Sequence, residues 1–338
     1  MSVVERARRF TYQRQRLGRA APDAATALRD VIGVYSSHPS APLTLHARSA
    51  AFDAAAFHAL DALRLPAMRG SIHLLPRETA HLPFRALQEP PAQMRRRLKY
   101  FGVSAEDFDR LREAVIAAAP APRTLAEIRE ATGEAADPVK GTTAALTRTG
   151  ELVRVGAAGL RSNALRYVAA SIPEADPARA LRWLVGEYVR AYGPVTREDA
   201  RWWTGGATKA VDAALGALDL EDVGGGLLLR AEDREAFDAA PEIPADAVDL
   251  LPKWDMYTMG HAPGRRGRFA DDDAVDRCYD FRGDGVPVIL VGGRAGGTWS
   301  ITAGKGVVFE VDLWRRATKR VGSALDERLD TVRELLST

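Results

Sequence analysis

Apolar residues recur every three or four positions along most of the chain, and short alternating runs interrupt this helical spacing. Near the N-terminus the spacing predicts helices over about residues 3–17, 22–36 and 53–64. The following segment RLPAMRGSIHLLP predicts two extended segments around Arg69 and Gly70. The chain therefore begins with helices and passes into a hairpin.

Residues 122–168 predict two helices followed by a hairpin. Thr124 and Glu127 have the spacing of a capping box at the start of the first helix, and Gly150 ends the second. The alternating runs ELVRVG and ALRYVA then flank the turn AAGLRSN. This order is typical of a winged helix.

The same order recurs in residues 178–230, where Thr196 and Asp199 occupy the capping-box positions. Two successive units predict tandem winged helices, and the N-terminal residues fit a third unit with residues 39–52 inserted. The last helix of such a unit can enter the major groove of DNA. Winged helices also serve as protein-contact modules, so that alternative stays open.

Strand-like runs with glycine turns begin near residue 245 and predict a small β-barrel or curled sheet, followed by an amphipathic helix. We therefore expect an α-rich α+β fold of three tandem winged-helix units and a small C-terminal β-barrel. The expected boundaries are residues 1–100, 101–172 and 173–240 for the units, and 241–338 for the barrel with its helix.

Composition is that of a globular protein, with 46% hydrophobic and 27% charged residues. We find no apolar run of about 18 residues, so no membrane span is expected, and the N-terminus lacks the apolar core of a secretory signal. The single cysteine, Cys278, excludes an internal disulfide and a zinc site made of several cysteines. These features predict a protein of the reducing cytoplasm.

Arginines are clustered although the net charge is only +2. Such clusters favour local anion-binding faces, with solvated surface as the alternative. The candidate DNA contacts in them are Arg14, Arg16, Arg95, Arg96, Arg265, Arg266 and Arg268. The last three lie in a glycine-rich segment that we interpret as a flexible arm, or as a mobile loop neutralised by the aspartates at 271–273.

Three phrases of the sequence, AMRGSIHLLP, LLPKWDMYTMGH and VILVGGRAGGTW, resemble the AlkZ-type DNA glycosylases in the same order. The resemblance covers nearly the whole chain. It implies a C-shaped molecule of three winged helices and a β-barrel around duplex DNA. It also implies hydrolysis of the N-glycosidic bond of alkylated purines, some of them in crosslinks, with water as nucleophile and without a cofactor or metal.

The family's catalytic side chains are two glutamines, or a glutamine and an aspartate, spaced i and i+2. They follow a glycine-hydrophobic pair and precede a proline. Residues 33–34 match that pair, which places Tyr35 and Ser37 at the catalytic positions and His38 before Pro39. Both catalytic amides are therefore replaced in this chain.

Two hypotheses follow from this replacement. In the first, Ser37 holds a water, His38 accepts its proton and Tyr35 stacks on a base, so that Tyr35, Ser37 and His38 are catalytic. In the second, the protein binds DNA as a damage sensor or regulator without cutting it. A protein-interaction module that no longer binds DNA is a third alternative.

Further candidates lie in the phrases that carry the resemblance. Arg69 is expected to contact a DNA phosphate, and His73 either contacts DNA or is a buried histidine bonded to the backbone. Trp254, Asp255 and Tyr257 are expected to be structural residues near the site, with Asp255 anchoring Arg69 or another arginine.

Trp202 and Trp203 lie in the middle of a predicted helix and are expected in the core. We expect a monomer that binds duplex DNA, alkylated or crosslinked, in the cytoplasm with the nucleoid, and no membrane partner.

Overall fold

Helices and short antiparallel strands alternate along the chain, and the computed structural model describes residues 1–37, 39–156, 159–302 and 306–337. The helices are α1 (Val3–Arg14), α2 (Ala24–Asp30), α3 (Ser40–His46), α4 (Ala54–His58), α5 (His81–Ala86), α6 (Pro91–Tyr100), α7 (Ala105–Ala117), α8 (Leu125–Thr132), α9 (Ala136–Thr149), α10 (Pro177–Tyr192), α11 (Arg197–Thr204), α12 (Thr208–Gly216), α13 (Arg234–Asp238), α14 (Asp272–Val275) and α15 (Lys319–Ser337). The strands are β1 (Val34–Tyr35), β2 (Ala62–Pro66), β3 (Ile72–Pro76), β4 (Leu152–Val155), β5 (Arg166–Ala169), β6 (Leu220–Asp222), β7 (Leu228–Arg230), β8 (Val248–Leu251), β9 (Val288–Val291), β10 (Arg294–Ile301) and β11 (Phe309–Leu313).

The expected α+β class is confirmed, and so is the order of helices followed by a hairpin. Helices α7, α8 and α9 precede the hairpin β4–β5, and α10, α11 and α12 precede the hairpin β6–β7. Both predicted capping boxes are present, at the starts of α8 and α11. Each such cap contributes about 1 kcal/mol to stability, so the sequence fixes where these helices begin.

One five-stranded sheet joins the first two groups of helices, with the strand order β1-β3-β2-β4-β5. The hairpins β2–β3 and β4–β5 are connected through the pair of Arg64 and Arg154. Strand β1 pairs with β3 at the other edge, with Tyr35 opposite His73. The segment that carries the candidate catalytic residues is therefore an edge strand of this shared sheet.

The C-terminal strands form an open antiparallel sheet, as the curled-sheet alternative predicted, and the described residues contain no closed β-barrel. The strand order is β11-β10-β9-β8, and β8 and β11 are the two edges. Closure would require these edges to pair, whereas α15 packs against β8 and Arg328 donates a 3.1 Å hydrogen bond to the carbonyl of Val248. From α1, Tyr12 donates a hydrogen bond to Asp249 on the same strand at 2.7 Å.

Two predicted helix boundaries near the N-terminus are wrong. The helix expected over 22–36 ends at Asp30, because Ile32 adopts the left-handed region at φ 73° and the chain then enters β1. The helix expected over 53–64 ends at His58, and the residues after it contribute β2. Apolar residues of β2 pack on the sheet core, so tertiary contacts override the helical spacing here.

None of the helices in the described ranges combines the length and the apolar composition that crossing a bilayer requires.

Candidate functional site

Tyr35 is placed by a close approach of the chain to strand β3. A Cβ atom added to Gly33 would stand 2.5 Å from a methyl of Leu75 and 2.9 Å from the carbonyl oxygen of Leu74. Glycine is therefore required at this position, and β1 lies directly against β3 after it. Tyr35 consequently faces the end of the β2–β3 hairpin.

A cavity of about 690 Å³ opens beside Tyr35, which is within the usual size range of ligand sites. Its walls come from β1, the β2–β3 turn, the β4–β5 hairpin, α11 and the C-terminal region. Its charged or aromatic lining consists of Tyr35, Arg69, Arg148, Arg154, Trp202, Trp254, Arg282 and Asp284. The cavity brings the candidate catalytic segment together with four guanidinium groups and one carboxylate from the rest of the chain.

Arg69 lies in the β2–β3 turn with its backbone in the left-handed region, at φ 54°. Its guanidinium carbon lies 4.0 Å from the centroid of the Trp202 ring, and the guanidinium donates a hydrogen bond to the hydroxyl of Tyr35. Burial, and then the positive charge of Arg266, lower the pKa of Arg69 to about 10. Within the described ranges no carboxylate forms an ion pair with this guanidinium, so its charge is free to meet an anion.

The backbone conformation of Arg69 is supported by α11. Gly205 ends α11 at φ 67°, and a Cβ added there would stand 3.0 Å from the Cα of Arg69. Only glycine permits both this contact and this φ without strain. The end of α11 therefore fixes the direction of Arg69, and Trp202 from the same helix supports its side chain.

Aromatic rings surround Tyr35 on two sides. The ring of His73 lies 4.5 Å from it, and the ring of Trp254 lies 6.3 Å away. Trp254 also has a left-handed backbone, at φ 59°, and its amide donates a 3.0 Å hydrogen bond to Gly285. Tyr35 and Trp254 line the cavity, whose charged lining is mostly cationic, whereas His73 is buried against Tyr35 and does not line it.

His73 is buried, with 1% of its surface exposed. Its Nδ1 lies 3.1 Å from the carbonyl oxygen of Ser71, so the neutral ring donates from that atom. Burial, together with the charge of Arg69, lowers the pKa of His73 to about 4. In this position His73 supports the ring of Tyr35 and has almost no surface left for a contact with DNA.

Acidification is expected to destabilise the protein between pH 6.5 and 4. Burial lowers the pKa of His46, His73 and His261 to about 4 in the folded chain. The unfolded chain binds protons near pH 6.5, so each histidine removes about 1.4 kcal/mol of stability per pH unit below that value. Urea unfolding at pH 7.0 and 5.0 measures this loss.

Replacement of His73 by phenylalanine keeps a ring beside Tyr35 and is expected to reduce that dependence on pH. The exposed His58, replaced by glutamine, is the matched control. Equal stability of the wild type at the two pH values would contradict the prediction.

Ser37 follows the strand and precedes α3, whose Ala41 amide donates a 2.8 Å hydrogen bond to the Ser37 carbonyl. Its hydroxyl oxygen is buried at the cavity and has no hydrogen-bond partner among the described residues. A buried hydroxyl without a partner costs about 1–3 kcal/mol, so this oxygen is suited to bind a ligand or a water. The third candidate, His38, lies outside the described residues.

Asp255 anchors an arginine, and this arginine is Arg48. Two hydrogen bonds of 2.8 Å join the guanidinium to both carboxylate oxygens, and both side chains are fully buried. Arg48 also donates to the carbonyl of Thr44 at 2.9 Å and to Gln15 at 3.1 Å. The pair connects α3, which follows the candidate catalytic segment, to the chain that carries Trp254.

Tyr257 is buried beside the same pair, and its amide donates a 2.8 Å hydrogen bond to Asp255. Nothing in the sequence pattern distinguished Arg48 as the partner, because 207 residues separate the two charges.

Trp202 does not lie in the core, which corrects the expectation from its position in the helix. Trp203 is buried with 1% exposure, whereas Trp202 lines the cavity and stacks with Arg69. Arg266 lies 5.6 Å from the Trp202 ring and 3.5 Å from the ring of Tyr279. Trp202 therefore contacts two guanidinium groups, that of Arg69 in the cavity lining and that of Arg266 outside it.

The expected arm with three arginines is a 3₁₀ segment, Pro263–Arg268, packed on the protein. Arg268 is buried and donates hydrogen bonds to the carbonyls of Tyr192 at 3.1 Å and Pro194 at 2.5 Å. Arg265 is half-exposed. Of the three aspartates that follow, Asp271 pairs with Arg294 and Arg315 rather than with an arginine of this segment.

The other basic candidates lie outside the cavity lining. Arg14 forms an ion pair with Asp233, and Arg16 pairs with Asp30 at 2.7 Å. Arg95 and Arg96 are exposed on α6. Sequence reasoning missed Arg148, Arg154 and Arg282, which reach the cavity from α9, from β4 and from the turn before β9, and carry no motif.

The family profile described as "DNA glycosylase AlkZ-like" matches residues 9–335, so the chain belongs to the AlkZ-like family of DNA glycosylases and the resemblance is confirmed. The structure is similar to that of the Streptomyces sahachiroi DNA glycosylase AlkZ, with a TM-score of 0.73, 21% identity, and coverage of 96% of this chain and 94% of that one. No curated protein matched the chain.

Proposed function

We propose that this protein binds duplex DNA and hydrolyses the N-glycosidic bond of an alkylated purine placed in the cavity beside Tyr35. The observation that carries the proposal is the buried hydroxyl of Ser37, which has no partner among the described residues, at the position that the resemblance aligns with a catalytic side chain of the family. The two helix–hairpin groups at 101–172 and 173–240 then act as winged helices, and residues 1–100 and 241–338 complete a monomer that encloses the duplex.

The chemistry requires a water near C1′ of the nucleotide. An alkylated cationic purine departs as a neutral base when the C1′–N bond breaks and its electron pair moves to the ring nitrogen. The water oxygen forms the new bond to C1′ and loses a proton to the solvent. Ser37 holds this water as donor or acceptor, and Tyr35 lies against the sugar or base with its hydroxyl fixed by Arg69.

Arg69 has a different role, because its charge has the same sign as the oxocarbenium ion. At a separation of 4 Å two such charges repel by about 4 kcal/mol near a protein surface. The guanidinium therefore binds a phosphate beside the target nucleotide, for which its planar group is well suited. This contact holds the nucleotide at the cavity without opposing the bond cleavage.

A base-release assay tests the proposal. Wild-type protein is expected to release N7-methylguanine from duplex DNA. Ser37→Ala is expected to lower the rate about tenfold, because the water loses one hydrogen bond. Tyr35→Phe removes only the hydroxyl and keeps the ring. Thr302→Ala is the control, since this residue lies outside the cavity.

A second candidate is a DNA-binding protein without hydrolytic activity. Both catalytic amides of the family are replaced, and the hydroxyl of Tyr35 already accepts a hydrogen bond from Arg69. Wild-type protein that binds the duplex tightly but releases no base, from N7-methylguanine or from a bulkier adduct, would favour this candidate.

A further inference from the structure

One large apolar side chain is exposed at the edge of the cavity. The ring of Phe281 is 91% exposed, in a chain whose other phenylalanines are largely packed. The next three residues, Arg282 to Asp284, line the cavity itself. Since adjacent Cα atoms are about 3.8 Å apart, Phe281 stands at the rim of the cavity.

The turn that presents Phe281 is held by its own hydrogen bonds. The carboxylate of Asp280 accepts from the amides of Arg282 at 2.9 Å and Asp284 at 3.1 Å. The carbonyl of Asp280 accepts from the amide of Gly283 at 2.8 Å. Gly283 has φ 80°, which the turn requires and glycine adopts without strain.

The base of this turn is attached to the body of the protein and to Trp254, which lines the cavity. The guanidinium of Arg266 packs over the ring of Tyr279, and the hydroxyl of Tyr279 donates to the carbonyl of Thr258 at 2.5 Å. Gly285 accepts from the amide of Trp254. Phe281 is therefore an exposed ring on a preorganised support, and its position relative to Trp254 is fixed before any partner binds.

We infer that Phe281 inserts into the base stack of duplex DNA and occupies the space left when the target nucleotide enters the cavity. This inference rests on the proposed binding of DNA. Apolar side chains such as phenylalanine do insert between base steps in DNA-bound proteins, and an enzyme that acts on a base must take it out of the stack. The arginines that line the cavity supply the charge that a DNA backbone requires at the same rim.

Insertion explains how a damaged position is selected. The free energy of unstacking and unpairing a base opposes its extrusion, and this cost is smallest where the base is damaged or its partner is missing. Burial of one phenylalanine ring favours the extruded state by roughly tenfold or more. Insertion of the ring therefore favours extrusion at a weakened base-pair step, whereas an intact base-pair step stays stacked.

The test compares two duplexes by fluorescence anisotropy, one fully paired and one with a tetrahydrofuran abasic analogue that no glycosylase can cleave. Wild-type protein is expected to bind the second duplex about tenfold more tightly. Phe281→Ala is expected to reduce this preference to about twofold or less while its affinity for the paired duplex is unchanged. Phe281→Leu is expected to retain most of the preference for the abasic duplex. Thermal unfolding verifies that the variants are folded, as expected for an exposed side chain.

Tyr100→Ala is the matched control, because Tyr100 is 85% exposed and lies outside the cavity lining. Its preference for the abasic duplex should equal that of wild type. A wild type with no preference, or a Phe281→Ala variant that keeps it, would overturn the inference. Because the analogue cannot be hydrolysed, a Phe281-dependent preference without base release would refute only the catalytic proposal, and base release without such a preference would refute only the insertion.

Discussion

Replacement of Asp255 by alanine is expected to lower the free energy of unfolding by about 3–5 kcal/mol, because a buried guanidinium would lose its partner. Arg48 and Asp255 are both fully buried and share two hydrogen bonds. The mutation leaves the charge of Arg48 in a site that cannot solvate it. Urea unfolding monitored by circular dichroism measures the loss, with the midpoint and the slope compared to those of the wild type.

The matched control is Asp61→Ala. Asp61 also pairs with an arginine, Arg77, but the two side chains are 76% and 56% exposed, so a change of at most about 1 kcal/mol is expected. The double replacement Arg48→Met with Asp255→Leu removes both charges and should recover much of the lost stability. Equal losses in the Asp255 and Asp61 variants would show that the buried pair does not stabilise the fold.

Replacement of Arg69 by glutamine is expected to weaken binding to duplex DNA about 100-fold at low salt. The variant loses a charged hydrogen-bond donor that forms no ion pair within the described chain, and phosphate contacts of this type contribute about 1.5–3 kcal/mol each. The slope of log K against log salt should also become less steep by about 0.9 for one lost phosphate contact. Anisotropy titrations at several salt concentrations give both quantities.

Arg333→Gln is the control for the loss of one positive charge, because Arg333 pairs with Asp330 on α15, outside the cavity. It should change the affinity by no more than a few-fold. Arg69→Lys keeps the charge but not the planar donor group. Its affinity for duplex DNA should lie between those of the wild type and of Arg69→Gln. An unchanged salt slope in Arg69→Gln would remove Arg69 from the DNA interface.

Local signals in the sequence predicted the helix–hairpin groups well. Thr124 and Thr196 start their helices because a hydroxyl three residues before an acidic side chain satisfies amides of the first turn. Such caps act within four residues, so no tertiary information is needed. The same holds for the glycine that ends α9, Gly150, at φ 85°.

The cavity was only partly predictable, because its residues meet through long-range packing. The position of Tyr35 depends on how closely Gly33 approaches β3, and the position of Arg69 depends on Gly205 of α11. Neither contact leaves a local pattern. The choice between a β-barrel and a curled sheet stayed open for a related reason, since alternating strands predict a sheet but do not say whether a helix such as α15 will cover its edge.

The pairing of β2 with β4 has a consequence for any attempt to divide this chain into modules. A fragment that begins after the first hairpin would present the bare edge of β4, whose amides and carbonyls are normally covered by β2. Open edges of this kind recruit strands from other molecules, so the fragment would tend to self-associate. In evolutionary terms the first two helix–hairpin groups cannot be exchanged independently, because their hairpins share one sheet, whereas the hairpin β6–β7 of the third group forms a sheet of its own.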